Sequence, residues 1–255
     1  MRGLAGKVAI VPGGCTKIGR AVVAAFVAAG AKVMVADIVP GNDLPEGVAF
    51  QTCDLRDDAQ ITALVAATKA RFGRIDFLVN VACSYLDNGA ASSRAEWLES
   101  FNVNVVGSVV LMQAALEELE RNRGAIVNFG SISSRVAQTG RWLYPVSKAA
   151  ILQLTRNQAM DLAPKGIRVN AVSPGWTWSN IMDQLTGGDR AKTDAVAAPF
   201  HLLGRVGDPE EVAAAVLFLC SDEAGFITGT DIRVDGGYTA MGPEQAEPAI
   251  PKLMA

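Results

Sequence analysis

Residues 7–38, KVAIVPGGCTKIGRAVVAAFVAAGAKVMVADI, decide the fold. KVAIVP (7–12) is a short apolar run of strand length, and GGCTKIG is a turn. RAVVAAFVAAG carries apolar residues at helical spacing and closes at Gly30, and AKVMVADI returns as a second strand. Five more runs read as strands: VAFQTCDL (48–55), RIDFLVNVA (74–82), GAIVNFGS (124–131), GIRVNAVS (166–173) and TDIRVDGG (230–237). Helical patterns separate most of them, with long ones at 94–120 and 142–163. Continuous apolar strands alternating with helices predict a parallel seven-stranded sheet, covered on both faces and wound by right-handed crossovers. The fold class is therefore α/β, a doubly wound Rossmann-like arrangement.

No linker, repeat or low-complexity stretch divides the chain, so residues 1–255 are expected to form a single domain. Two regions escape the alternation: CSYLDNGAASSRA (83–95) and the longer 176–207. Loops at the carboxyl ends of parallel strands carry ligands in such sheets, which makes both candidates for a substrate lid, with 176–207 the lid region expected. A proline-punctuated tail, 238–255, follows.

Half of the 255 residues are hydrophobic, 19% are charged, and the formal net charge is −3. That balance offers no basic field for nucleic acid or an anionic membrane, so a small-molecule partner is expected. No apolar run reaches the ~18 residues of a spanning helix, and the N-terminus lacks a signal-peptide pattern, which predicts a cytoplasmic protein. The four cysteines are scattered without a CxxC pair, and His201 is the only histidine, so no metal site is expected.

The glycine turn has a specific chemical reading. Gly13, Gly14 and Gly19 join a first strand to a first helix, and Asp37 ends the second strand eighteen positions after Gly19. This is the spacing of a dinucleotide fingerprint: glycines admit the pyrophosphate to the helix N-terminus, and the acidic residue accepts the ribose hydroxyls. A carboxylate there repels a 2′-phosphate, which predicts NAD as the cofactor. Asp54, ending the third strand, can accept from the adenine amino group or cap the next helix. Lys17 stands inside the turn, where it can touch a phosphate or stay solvated.

A second constellation lies in SISSRVAQTGRWLYPVSK (131–148). Tyr144 and Lys148 fall at i and i+4 on one helix face. A phenol titrates near ~10, and an adjacent ammonium favours phenolate, which predicts a Tyr144 pKa lowered toward the working range. Ser131, thirteen residues earlier, ends a strand facing the helix start.

With these residues in hand, the sequence from about Lys7 to Gly237 resembles the short-chain dehydrogenase/reductase family. The catalytic YxxxK of that family is matched by Tyr144 and Lys148, its serine by Ser131, and its helix-borne asparagine by Asn104 in FNVNVVGS. Asn80 in NVAC matches its fourth-strand asparagine motif, and Pro174-Gly175 its proline-glycine turn. Residues 204–237 resemble its C-terminal signature nearly throughout. Pro12, Lys17, Val81 and Cys83 depart from it, replacing a threonine, the middle glycine and two residues of NNAG.

The resemblance implies a homotetrameric, NAD-dependent alcohol dehydrogenase. Tyr144 would be the acid/base, Ser131 the donor to the reacting oxygen, Lys148 the group that holds the nicotinamide ribose, and Asn104 the holder of a relay water. Gly13, Lys17, Ile18, Gly19, Asp37, Ile38, Asp54, Leu55, Asn80, Ala82, Pro174, Gly175, Thr177 and Ser179 would join Tyr144 and Lys148 along the cofactor. Around the reacting carbon stand Ser133, Gln138, Arg141, Trp142, Trp176 and Trp178, whose aromatic faces suit a secondary alcohol or ketone on a hydrophobic, cyclic or aromatic skeleton. Two alternatives stay open: a sugar or hydroxy-acid dehydrogenase of the same family, and a non-catalytic NAD-binding protein.

Overall fold

The computed structural model describes residues 1–41, 44–45 and 47–254; the last residue of the predicted tail lies outside them. The chain begins with β1 (Val8–Pro12), α1 (Lys17–Ala28) and β2 (Lys32–Asp37), the unit read from residues 7–38. There follow β3 (Val48–Thr52), α2 (Asp58–Phe72), β4 (Phe77–Asn80), α3 (Arg94–Phe101), α4 (Gly107–Asn122), β5 (Ala125–Phe129) and α5 (Leu143–Leu162). The remainder comprises β6 (Arg168–Pro174), α6 (Asn180–Thr186), α7 (Arg190–Ala197), α8 (Pro209–Cys220) and β7 (Asp231–Val234). All pairings are parallel and the strand order is β3-β2-β1-β4-β5-β6-β7.

Alternation along each strand feeds two cores. Ala9, Val11, Val33, Val35, Phe77, Val79 and Val127 pack with Val22 and Phe26 of α1 and Val212 and Val216 of α8. Ile10, Met34, Leu78 and Ile126 face the other way, against Ile61 and Leu64 of α2, Leu111 and Leu119 of α4 and Ala159 of α5. Burying each such aliphatic side chain contributes about 1.5–3 kcal/mol, so the two-sided pattern holds the sheet. β3 differs: its residues are half-buried to exposed, as befits an edge strand, and it stops at Thr52, short of the predicted 55.

The order reverses between β1 and β4, which opens a crevice at the carboxyl ends of these strands. Glycine is required where α1 meets β1. Gly13 has φ +77°, and a Cβ on Gly19 would stand 2.1 Å from the Gly13 carbonyl oxygen. Thr16 caps α1, its Oγ1 accepting from the Gly19 N–H at 3.1 Å. Pro12 is tolerated because it is the last residue of β1, and its carbonyl still accepts from the Ala82 N–H.

The predicted helix over 94–120 is not uniform. Between α3 and α4, Asn102–Val106 form a π-helical turn, and Gly107 after it presses on Leu55, whose carbonyl oxygen would lie 2.6 Å from an added Cβ. Among the described residues no helix is long and apolar enough to cross a membrane.

Candidate active site

A cavity of about 970 Å³ opens at the carboxyl ends of the strands. Ser131, Tyr144 and Lys148 share its wall with Ile18, Pro174, Gly175, Thr177 and Ser179. Ser131 lies two residues beyond the end of β5, not in the strand as predicted; it is extended and buried. Its hydroxyl stands beside the Tyr144 phenol and donates to Ser133 Oγ at 3.2 Å, and Ser133 donates in turn to Gln138 Oε1 at 2.8 Å. Lys148, one turn after Tyr144 and 3% exposed, places its ammonium 5.6 Å from the Tyr144 ring centroid and donates to the Phe129 carbonyl at 2.9 Å. An ammonium has three donors, so two more can serve a ligand in the cavity.

The electrostatics of Tyr144 correct the sequence expectation. Burial is the largest effect and pushes the phenol above its ordinary value; the neighbouring Cys83 side chain adds to this, while the Ser131 hydroxyl and the Arg141 guanidinium pull the other way. The guanidinium carbon stands 4.7 Å from the ring centroid. The spacing to Lys148 is as predicted, but desolvation, which no local pattern reveals, sets the direction.

Asn104 lies in the π-helical turn and is buried. Its Oδ1 accepts from the Ser84 N–H at 2.6 Å, and its Nδ2 donates to the Ser84 carbonyl and to Ser147 Oγ, both at 3.0 Å. It therefore ties the loop after β4 to α5 and acts as a fastener at the helix bend.

Several proposed cofactor contacts are otherwise engaged. Asp54 neither stands open nor caps α2: Arg56 grips its carboxylate at 2.6–3.0 Å, and Asp57 is the cap, accepting from Ala59 and Gln60. Lys17 pairs with Asp183 at 3.1 Å, and its N–H donates to Asn180 Oδ1 at 2.7 Å, which joins the glycine turn to α6. Asn80 donates to Asn128 Oδ1 at 2.8 Å across β4 and β5, leaving its own Oδ1 unpartnered. Leu55 is buried in the core, and Ile38 is exposed beyond β2. Ala82 backs the turn, 2.6–2.7 Å from where a Cβ on Gly13 would stand. Asp37 keeps its place at the end of β2, one oxygen accepting from the Cys15 N–H at 3.2 Å.

The tryptophans part company. Trp176 lines the cavity; Trp142 is 52% exposed and outside its wall; Trp178 lies between the charged ends of Lys17 and Arg190, 5.6 Å from each. The segment 176–207 folds as α6 and α7 and supplies Ile181, Met182, Leu185, Val196 and Phe200 to the wall. The sequence reading singled out the segment without those residues. It also missed Tyr85, whose ring stacks on Tyr144 at 5.2 Å and 16°, and Tyr238 and Gln245 from the tail. Among the described residues no cluster of His, Cys, Asp or Glu can hold a metal.

A family model described as "Enoyl-(Acyl carrier protein) reductase" matches residues 14–239. L-fucose dehydrogenase of Bos taurus is 36% identical over 246 residues, covering 91% of this chain and 89% of the relative. The chain is a short-chain dehydrogenase/reductase. This short-chain dehydrogenase/reductase is also 36% identical to 2-(S)-hydroxypropyl-CoM dehydrogenase 3 of Xanthobacter autotrophicus, covering 93% of this chain and 98% of that one. The identity to 2,5-dichloro-2,5-cyclohexadiene-1,4-diol dehydrogenase of Sphingobium indicum is again 36%, covering 94% and 100%. Among solved structures, Thermoplasma acidophilum aldohexose dehydrogenase in ligand-free form superimposes with a TM-score of 0.88 at 32% identity, covering 94% of this chain and 96% of that one. The protein is accordingly an oxidoreductase acting on CH–OH groups with a nicotinamide cofactor. Its glycine turn, the α1 N-terminus and the Pro174-Gly175 wall fit such a dinucleotide.

Proposed function

We propose that the enzyme interconverts a secondary alcohol and its ketone on a hydrophobic, cyclic skeleton, with NAD as the cofactor and Tyr144 as the acid/base. The observation that carries this reading is the meeting of the Ser131 hydroxyl, the Tyr144 phenol and the Lys148 ammonium on one cavity wall. A nicotinamide held along this wall would supply the hydride acceptor for oxidation of the carbinol carbon and the donor for reduction. Ser131 directs its hydroxyl at the reacting oxygen, a contact that strengthens as negative charge develops there. The buried phenol holds its proton firmly, which suits it to protonate a ketone oxygen during reduction. In oxidation Tyr144 receives the alcohol proton as phenolate, and Lys148 and Arg141 are the nearby cations that favour that form. Lys148 would hold the ribose with its remaining donors.

Asp37 supports NAD over NADP, because a carboxylate at the end of β2 would repel a 2′-phosphate. Ile181, Met182, Leu185, Val196, Phe200 and Trp176 support an apolar ring in the substrate lobe, and the Ser133–Gln138 pair offers polar contacts for a second oxygen. The relative from Sphingobium, a cyclohexadienediol dehydrogenase by name, agrees with that choice. A panel of cyclic, aromatic and sugar alcohols assayed with NAD tests the reading: turnover is expected to be greatest on cyclic secondary alcohols, and activity confined to sugars and open-chain polyols would reject it. We further propose that the enzyme is a homotetramer, as its family resemblance implies.

A further inference from the structure

The loop between β4 and α3 contains a carboxylate that the reaction outlined above does not use. Asp87 has a side chain only 3% exposed. Its Oδ1 accepts from the Gly89 N–H at 3.0 Å and the Trp142 N–H at 2.9 Å, and its Oδ2 accepts from the Tyr144 N–H at 3.1 Å. The Leu143 N–H adds a further backbone contact. The first N–H groups of a helix have no partner within it, and Trp142, at the cap position of α5, supplies no side-chain cap. A residue 57 positions away in sequence therefore provides the cap of α5, and it brings the negative charge that a helix N-terminus favours.

Burial alone would raise the Asp87 carboxyl, but the N–H donors of Trp142, Gly89, Tyr144 and Leu143 outweigh it and hold the group below the usual carboxylate range. The charge stays in place at working pH. One of the four donors is the backbone of the residue that bears the phenol. The same loop carries Tyr85, stacked on the Tyr144 ring, and Arg141 brings its Nε to 3.8 Å from Asp87 Oδ2 while its guanidinium lies over that ring. Backbone, ring and overlying cation of Tyr144 thus all refer to the loop that Asp87 fastens.

We propose that Asp87 is a positioning residue for the proton transfer at Tyr144: its carboxylate staples the first turn of α5 to the β4 loop and so sets where the Tyr144 hydroxyl stands relative to Ser131. The proposal rests on the reading of Tyr144 as acid/base. A misplacement of about 1 Å at such a group lowers turnover by about 100-fold, whereas a cap that only stabilises the helix leaves turnover alone.

The full-length enzyme is compared as wild type, Asp87→Ala and Asp87→Asn, with the best alcohol from the panel. In Asp87→Ala, kcat is expected to fall about 10- to 100-fold, with KM and NADH affinity within about twofold of wild type. The pH profile of kcat for oxidation is expected to move to higher pH as Arg141 loses its anchor. In the absence of any ligand, amide exchange over residues 142–144, read by mass spectrometry, is expected to rise while β5 keeps its protection. Asp87→Asn retains one acceptor oxygen, too few for all four donors, and is expected to lose kcat several-fold; it decides the matter if the alanine variant does not fold. Wild-type kcat in a folded variant of lowered melting temperature would reduce Asp87 to a stability cap and overturn the proposal, as would unchanged exchange over 142–144. If Tyr144→Phe is inactive while the Asp87 variants turn over normally, the staple alone has failed; if Tyr144→Phe remains active, the acid/base reading fails and the proposal falls with it.

Discussion

Replacing Asp37 by asparagine tests the cofactor assignment at a single charge. The Asp37 carboxylate stands at the end of β2, half-buried, with one oxygen held by the Cys15 N–H. Two unit charges 4 Å apart repel by about 4 kcal/mol at an effective dielectric near 20. Salt and solvent reach this position, which reduces the difference to about 1–2 kcal/mol. That corresponds to roughly a 5- to 30-fold preference for NADH over NADPH. Asparagine keeps an acceptor for the Cys15 N–H, so the glycine turn retains its support while the charge is lost. Titration of both reduced cofactors by nicotinamide fluorescence gives the two dissociation constants. The preference is expected in the wild type and should fall close to unity in Asp37→Asn, through tighter NADPH binding and not weaker NADH binding. Equal affinities in the wild type, or an unchanged ratio in the variant, would refute the argument.

Two other predictions concern the walls of the site. Asn104→Ala leaves the Ser84 backbone groups and Ser147 without their shared partner; at about 2 kcal/mol for buried groups left unpaired, the melting temperature should drop by ~4–8 °C by calorimetry. Because burial holds the Tyr144 phenol above its ordinary value, its base form is the minority species at neutral pH. The oxidation rate should therefore climb with pH across about 6–9, while reduction stays level there and declines only in stronger alkali; a level oxidation profile would contradict that.

The β1-α1-β2 unit was legible because each of its features is local. The glycines stand where backbone packs on backbone, the apolar run of α1 has helical period, and Asp37 closes a strand. The Ser131, Tyr144 and Lys148 constellation was legible for the same reason, being the stretch just past a strand end and one turn of helix. What stayed hidden is long-range. Nothing near Lys17 points to Asp183 in α6. Asp87 meets α5 across 57 residues, a contact that leaves no period in either segment. The π-helical turn at Asn104 interrupts an apolar pattern that otherwise reads as one helix. The direction of the Tyr144 shift was missed because spacing reveals a neighbouring charge but not the depth of burial.

The measurement that bears most directly on the account is turnover by Tyr144→Phe in both directions, paired with its NADH dissociation constant. A positioned acid/base contributes about 10²- to 10⁴-fold, so the variant should bind NADH as the wild type does and lose at least ~100-fold in kcat for oxidation and reduction alike. Turnover within tenfold of wild type, with NADH binding intact, would show that the proton travels by another group.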